Sequence, residues 1–397
     1  MKLLKGVRVL AVEQYGAGPF GSLQLAQLGA DIIKIENLHE GGDTGRHVRR
    51  DGEPVPAGDS LFFQAFNLGK RSLVMDLQKK EGQAVLRRLA GTADAVYNNL
   101  RGDTQEKLGI TYARLRDVNP RIVCVHLTAY GRRGSRKNWP GYVDLMQSEA
   151  GYLSVTGEPD SPPTRMGLSM VDQAAGVQAA LALVSGVMNA RGSGVGCDLD
   201  ISLYATAMSY LSYLGMWYMN LGHTQGREPR SSHPNLTPSQ LYRTQDGWLF
   251  IMGNKEKFWP VLVAALGAPV ELTDPAYATF DGRLKHRAAL TQLLDRIFMT
   301  QPTAHWTTLF AGRLPVAPVL DIGQALENPF AAEMGRIGSV EHPTGPLRVL
   351  APATEINGAP ISQAAAPVAG AHTADILGAA GYTREEIAEL RKCGAIR

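Results

Sequence analysis

With 397 residues, 44% hydrophobic and 19% charged side chains, the chain has apolar content for a large core and length for two or three domains. A formal net charge of only +3 argues against a general nucleic-acid binder. Cys124, Cys197 and Cys393 are widely spaced and form no C-x-x-C pair, which speaks against a disulfide framework or a zinc site and points to a reducing cytoplasm.

Met1 to Lys5 leads straight into strand-like Val7 to Val12 with no signal-peptide core. Over the first 130 residues, strand runs at Val7 to Val12, Asp31 to Glu36, Ser72 to Asp76, Ala95 to Asn98 and Ile122 to Thr128 alternate with helical patterns. The helices are Phe20 to Leu28, Lys80 to Leu89 and Thr111 to Val118. Such alternation predicts an α/β, Rossmann-like parallel sheet that binds its ligand beyond the carboxyl ends of the strands.

Gly16-Ala17-Gly18-Pro19-Phe20-Gly21 matches G-x-G-x-x-G between a strand and a helix, and Glu36 lies 20 residues past Gly16. That is the pattern of an NAD-dependent dehydrogenase. Glu13-Gln14-Tyr15 separate the strand from the first glycine, however, and Pro19 removes an N–H from the phosphate cradle. Farther on, Lys70-Arg71, Arg101 and Lys107 lie on loops at related strand ends, where a polyanionic nucleotide would meet them. Arg46, Arg49 and Arg50 read as a solvated loop.

From Gly167 to Arg191 the chain is almost uniformly apolar and rich in small side chains, the pattern of a buried helix. Its apolar run, Ala174 to Asn189, is broken by Gln178 and Ser185 and is short for a membrane span, so no membrane anchor is expected. Asp172 occupies the first turn, where unpaired N–H groups favour an anion. A partly desolvated carboxylate there can attack an acyl carbon. Ser169-x-x-Asp172 equally fits a capping box, and these residues alone leave both readings open.

A strand from Val195 to Ser202 leads to an aromatic and Met-rich helix, Leu203 to Leu221, suited to core or interface packing. Gly222 to Pro238 reads as a domain boundary. A smaller unit follows, with a hairpin of Gln240 to Thr244 and Trp248 to Met252 about Asp246-Gly247. Gly253-Asn254 ends that hairpin, and Ala371-His372-Thr373 opens a C-terminal pair of helical patterns.

Together these stretches resemble the class III coenzyme A transferases, of the formyl-CoA transferase and carnitine CoA-transferase type, over nearly the whole length. The resemblance is carried by Ala17-Gly18-Pro19 with Leu28-Gly29-Ala30-Asp31 through Glu36; Gly41-Gly42-Asp43; Asn67 with Lys70-Arg71-Ser72; Asn119-Pro120-Arg121; Pro140-Gly141-Tyr142 with Gln147; Asp172 and Gly176; His233-Pro234-Asn235; and Gly370 to Thr373. It implies that Asp172 is the catalytic aspartate and that no nicotinamide is involved. CoA contacts would fall at Gly16, Ala17, Met75, Asp76, Leu77, Gln78, Asn99, Leu100, Arg101, Lys107, Pro140, Gly141 and Tyr142.

The implied reaction moves CoA from an acyl-CoA to a free carboxylic acid through an aspartyl anhydride and an aspartyl-CoA thioester, with no metal and no permanently bound cofactor. Gly253-Asn254 is a candidate oxyanion donor. The resemblance further implies an interlocked homodimer. Its large domain would combine residues 1–222 with 330–397, and a small α+β domain would occupy 223–329. A sister branch epimerises acyl-CoA with a His directly after the glycine that corresponds to Gly141. Tyr142 stands there in this chain, and His126 reads as a core residue.

Overall fold

Short runs rich in Val, Ile and Leu become one parallel sheet in the computed structural model, which describes residues 1–397. The strands are β1 (Arg8–Val12), β2 (Asp31–Asn37), β3 (Arg71–Met75), β4 (Ala95–Asn98), β5 (Val123–Thr128) and β6 (Cys197–Ser202). Their order is β3-β2-β1-β4-β5-β6, every pair parallel. This is a doubly wound α/β arrangement.

Strands so apolar need cover on both faces. The helix Lys80–Ala90 supplies part of it, since Val85, Leu86 and Leu89 join Leu10, Val12, Ile33, Ile35 and Leu73 in one buried cluster. Its charged residues match its dipole, with Glu81 in the first turn and Arg87 and Arg88 in the last. The helix Met170–Ser193 lies against β5 and β6, where a Cβ on Gly186 would come within 2.8 Å of Val123 and 2.9 Å of Leu199. It also meets the first helix, Ala17–Gln27, at backbone distance: a Cβ on Gly21 would lie 2.5 Å from the Gly176 carbonyl oxygen.

Burial of the long helix is one-sided, against the expectation of burial all round. Ala175, Ala179, Leu183, Val187 and Ala190 are covered, whereas Val177, Leu181 and Met188 are 47, 66 and 71% exposed. The pattern Leu203 to Leu221 also resolves into two helices, Leu203–Ser209 and Ser212–Leu221, and a left-handed conformation at Ser212 (φ 49°) interrupts the run where the second begins.

The chain forms two compact units. One comprises Met1–Ala150, Gly167–Ser212 and Pro329–Arg397, the other Gly151–Met166 and Tyr213–Asn328. The division falls after Ser212, ten residues before Gly222. Residues 151–166 go with the second unit, where Arg227 donates to the carbonyls of Leu153 and Glu158 and the Arg230 N–H meets the Glu158 carboxylate at 2.9 Å. In the first unit the C-terminal segment lies along β3: Asp76 N–H donates to Ala395, His372 N–H to Ser72 and Arg397 N–H to Val74. The second unit holds an antiparallel sheet of β7 (Ser239–Arg243), β8 (Trp248–Met252) and β9 (Val316–Pro318). Its core includes Trp259, Phe298, Trp306 and Phe310.

Candidate active site

In a doubly wound sheet the crevice opens where successive connections leave in opposite directions, here between the carboxyl ends of β1 and β4. The loops that follow these strands are tied together: Gln14 N–H donates to Asn99 Oδ1 at 2.9 Å, and Asn99 Nδ2 donates back to the Gln14 carbonyl at 2.8 Å. Two cavities of about 220 and 210 Å³ open at this point, with Gln14 and Leu100 in the walls of both.

The first cavity gathers Gly16, Ala17, Asn99, Leu100, Arg101, Pro140, Gly141 and Tyr142 around Asp172. The second gathers Met75, Asp76, Leu77, Gln78 and Leu100. Lys107 lines neither; with Arg101 it pairs to Asp103, whose carboxyl these bonds pull down to about 2. The first cavity also includes Tyr15, Thr128, Trp139 and Leu203. Of these, Thr128 was accessible from the rule that sites lie beyond strand ends, whereas nothing local marks Leu203.

Asp172 lies in the first turn of Met170–Ser193, partly buried. Ser169, the N-cap, makes no side-chain cap hydrogen bond, so the capping box is not formed. Burial, aided by the negative charge of Asp144, raises the Asp172 carboxyl to about 6. The helix terminus pulls the other way, but desolvation outweighs it. At neutral pH the group is still mostly ionised and incompletely hydrated, the condition for a nucleophile. The first helix also starts without a side-chain cap, at Gly16, so first-turn amides of two helices border this cavity.

The three glycines answer to packing. A Cβ on Gly16 would meet Asp172, one on Gly18 would lie 2.6 Å from Asn99 Cγ, and one on Gly21 would strike the Gly176 backbone. Glu36 borders the second cavity, but its carboxylate is fully taken up: it accepts from Arg46 Nε and Nη2 (2.8 and 2.7 Å), from Asp43 N–H (2.8 Å) and from Ser72 Oγ (2.5 Å). Burial alone would raise its carboxyl; Arg46, Lys34 and Ser72 outweigh burial and hold it below the usual range. With those partners it has no capacity for a ribose hydroxyl, which removes the acid the dinucleotide pattern requires.

Arg46 is therefore a core residue, stacked 3.6 Å over the Phe63 ring, where a solvated loop was expected. Lys70 is likewise buried, bonded to Glu13, Asn67 and the Pro19 carbonyl, and burial brings its amine down to about 8. It is not a phosphate ligand.

His126 is fully buried, with Nδ1 2.8 Å from Asn98 Nδ2 and Nε2 2.7 Å from Asp198 Oδ1. It lines neither cavity, so it does not supply the opposed proton carrier that epimerisation needs. Gly253 donates its N–H to the Pro238 carbonyl at 2.7 Å, and a Cβ there would lie 2.8 Å from that oxygen. The Gly253 amide is thus engaged within its own unit, which leaves Asn254 of the expected oxyanion pair. No group of three or more His, Cys, Asp or Glu side chains is arranged to hold a metal ion.

A parallel sheet whose switch point holds a half-buried carboxylate between two helix N-termini is the layout of an α/β enzyme acting on an anionic ligand. The model of CoA-transferase family III matches residues 4–373, and the chain belongs to that family. It is thus an enzyme, a CoA-transferase. An acyl-CoA transferase of Fusarium pseudograminearum is 31% identical, over 99% of this chain and 88% of its own length. The succinyl-CoA:glutarate CoA-transferase of Homo sapiens is 28% identical over 100 and 90%. In structure the chain is similar to a CAIB/BAIF family protein from Brucella suis, with a TM-score of 0.83 and 27% identity over 95% of this chain and 99% of that one.

Proposed function

We propose that Asp172 carries the acyl group while CoA passes from an acyl-CoA thioester to a free carboxylic acid. The observation that carries this reading is the Asp172 carboxylate, partly desolvated, against the bare backbone of Gly16 in the switch-point cavity.

In the first step a carboxylate oxygen of Asp172 attacks the thioester carbonyl, the C–S bond breaks, and a mixed anhydride and CoA thiolate form. The thiolate then attacks the aspartyl carbonyl, releasing the donor acid and leaving an aspartyl-CoA thioester. The acceptor carboxylate attacks that carbonyl, expels the thiolate and forms a second anhydride. Attack of the thiolate on the new acyl carbonyl yields product and restores Asp172. First-turn amides at Ala17 and Gly18 are suited to the oxyanions.

The two cavities would take CoA: the reactive end beside Asp172 with Gly16, Ala17, Asn99, Arg101 and Pro140 to Tyr142, the nucleotide beside Met75 to Gln78. The relative named for succinyl-CoA and glutarate makes short dicarboxylic acids the first substrates to try. The exposed apolar residues Val177, Leu181 and Met188 support a homodimer in which a second copy covers this face. Three unpaired cysteines fit a reducing compartment such as the cytoplasm.

Incubation with succinyl-, acetyl- and formyl-CoA against a panel of free acids, followed by mass spectrometry, tests the reaction. Hydroxylamine or borohydride added during turnover should modify residue 172. An Asp172→Asn variant that exchanges thioesters at the wild-type rate overturns the reading.

A further inference from the structure

Tyr15 adopts a left-handed conformation (φ 68°), which a side chain takes only against strain. Its neighbours are both fixed: Gln14 is pinned to Asn99, and Gly16 faces Asp172. What holds the strained residue is a buried carboxylate. Tyr15 N–H donates to Asp43 Oδ1 at 2.9 Å, Gly45 N–H donates to the same oxygen at 2.7 Å, and Oδ2 pairs with Lys34 Nζ at 2.7 Å. Lys34 Nζ also donates to the Glu13 carbonyl at 3.2 Å, so the pair grips the chain on both sides of Gln14. Both side chains are inaccessible to solvent; neither lines the cavity that contains Asp172, and Asp43 borders the second one.

We propose that the Lys34–Asp43 ion pair is a positioning device for the nucleophile, holding the Tyr15 turn in its strained form and so setting the Gly16 backbone against the Asp172 carboxylate. The proposal rests on Asp172 being the acyl carrier. Stability gives little reason for two buried charges, because desolvation roughly cancels their attraction. A charged acceptor, in contrast, grips two amides more tightly than a neutral one and restrains a turn that would otherwise relax. Lys34 and Asp43 are positioning residues, since neither meets the reacting atoms.

The test is a double-mutant cycle on the full-length enzyme. Asp43→Ala should lower kcat on the order of 100-fold, the scale of a small misplacement of reacting groups. Asp43 also borders the second cavity, so KM for acyl-CoA is read alongside and should rise by a much smaller factor than kcat falls. In the Tyr15→Gly background, where the left-handed turn is free of strain, the same change should cost about tenfold less. Lys34→Met combined with Asp43→Asn keeps an acceptor oxygen and similar volume, and should retain more kcat than Asp43→Ala. Equal losses in both backgrounds, or a lower Tm with kcat unchanged, overturn the positioning role.

Should Asp43→Ala fail to fold, the Lys34→Met/Asp43→Asn pair runs the same cycle with Tyr15→Gly: its smaller loss of kcat should shrink further in that background, and equal losses in both backgrounds overturn the positioning role. Asp172→Asn separates the two ideas. If it still exchanges thioesters, the acyl-carrier reading fails; if it is inactive and the cycle shows no coupling, only the positioning role falls.

Discussion

A Cβ built on Gly16 would lie 3.3 Å from Oδ2 of Asp172, so the carboxylate rests against bare backbone. Gly16 has φ −111°, open to any residue, and the glycine is required by this approach and not by the turn. Gly16→Ala should therefore displace the carboxylate by a few tenths of an ångström and lower kcat roughly ten- to hundredfold. Because the neighbour is a side-chain tip, stability should change by less than about 1 kcal/mol. Steady-state kinetics beside a thermal melt check both parts; an undiminished kcat contradicts the assigned contact.

Gly21 presents the opposite case. Its hypothetical Cβ meets the Gly176 carbonyl oxygen at 2.5 Å and the Tyr97 hydroxyl at 2.6 Å, and a backbone carbonyl inside a helix pair cannot swing aside. Gly21→Ala should destabilise the fold by about 1–3 kcal/mol through overpacking. Urea titration would register a lower midpoint at unchanged slope.

How far the sequence reached depended on the range of the contact that decided each feature. Alternating strand and helix patterns were enough for β1 to β5, because each element declares itself within about ten residues. Arg46 was misread as solvated because its burial depends on Glu36, ten residues back, and on the Pro367 carbonyl, 321 residues ahead. Leu203 to Leu221 read as one helix because an apolar pattern does not register a single left-handed residue at Ser212. The candidate site was legible as motif positions, but their sorting into two cavities hangs on Gln14 and Asn99, 85 residues apart. The dinucleotide pattern failed for the same reason: each of its glycines answers to a neighbour from a distant segment.

Asp172 should be costly to the fold. Its carboxyl is raised from 3.8 to about 6, so the folded state resists ionisation that the unfolded chain undergoes freely. Below pH ~4 the group is neutral in both states and costs nothing; as pH rises through 6 the stabilisation of its neutral form is lost. Asp172→Asn should thus match wild type below pH ~4 and exceed it by about 2 kcal/mol at pH 7, while losing activity. Chemical denaturation of both proteins at pH 4 and 7 would detect this; equal stability at pH 7 contradicts it.

The exposed stripe Val177, Leu181 and Met188 recurs at helical spacing on a helix whose other face is covered. An acidic residue there should leave the unit's own core intact and oppose only what covers the stripe. If the proposed homodimer packs on this stripe, Leu181→Asp combined with Met188→Asp should lower the mass measured by light scattering from that of two chains to that of one. Unchanged mass would mean the stripe is not the contact.

The rate of acyl transfer to Asp172 should follow its ionised fraction. Since burial, then the charge of Asp144, sets the carboxyl near 6, the single-turnover rate should climb about tenfold per pH unit below 6 and level off above it. Asp144→Asn removes the repulsion and leaves the burial, so the midpoint should move to lower pH by less than about one unit while the plateau stays. Rapid-quench measurement of CoA release between pH 4.5 and 8 distinguishes this from a general loss of activity, which would lower the plateau without moving the midpoint. A midpoint that moves upward in Asp144→Asn would mean that the two carboxylates do not repel each other.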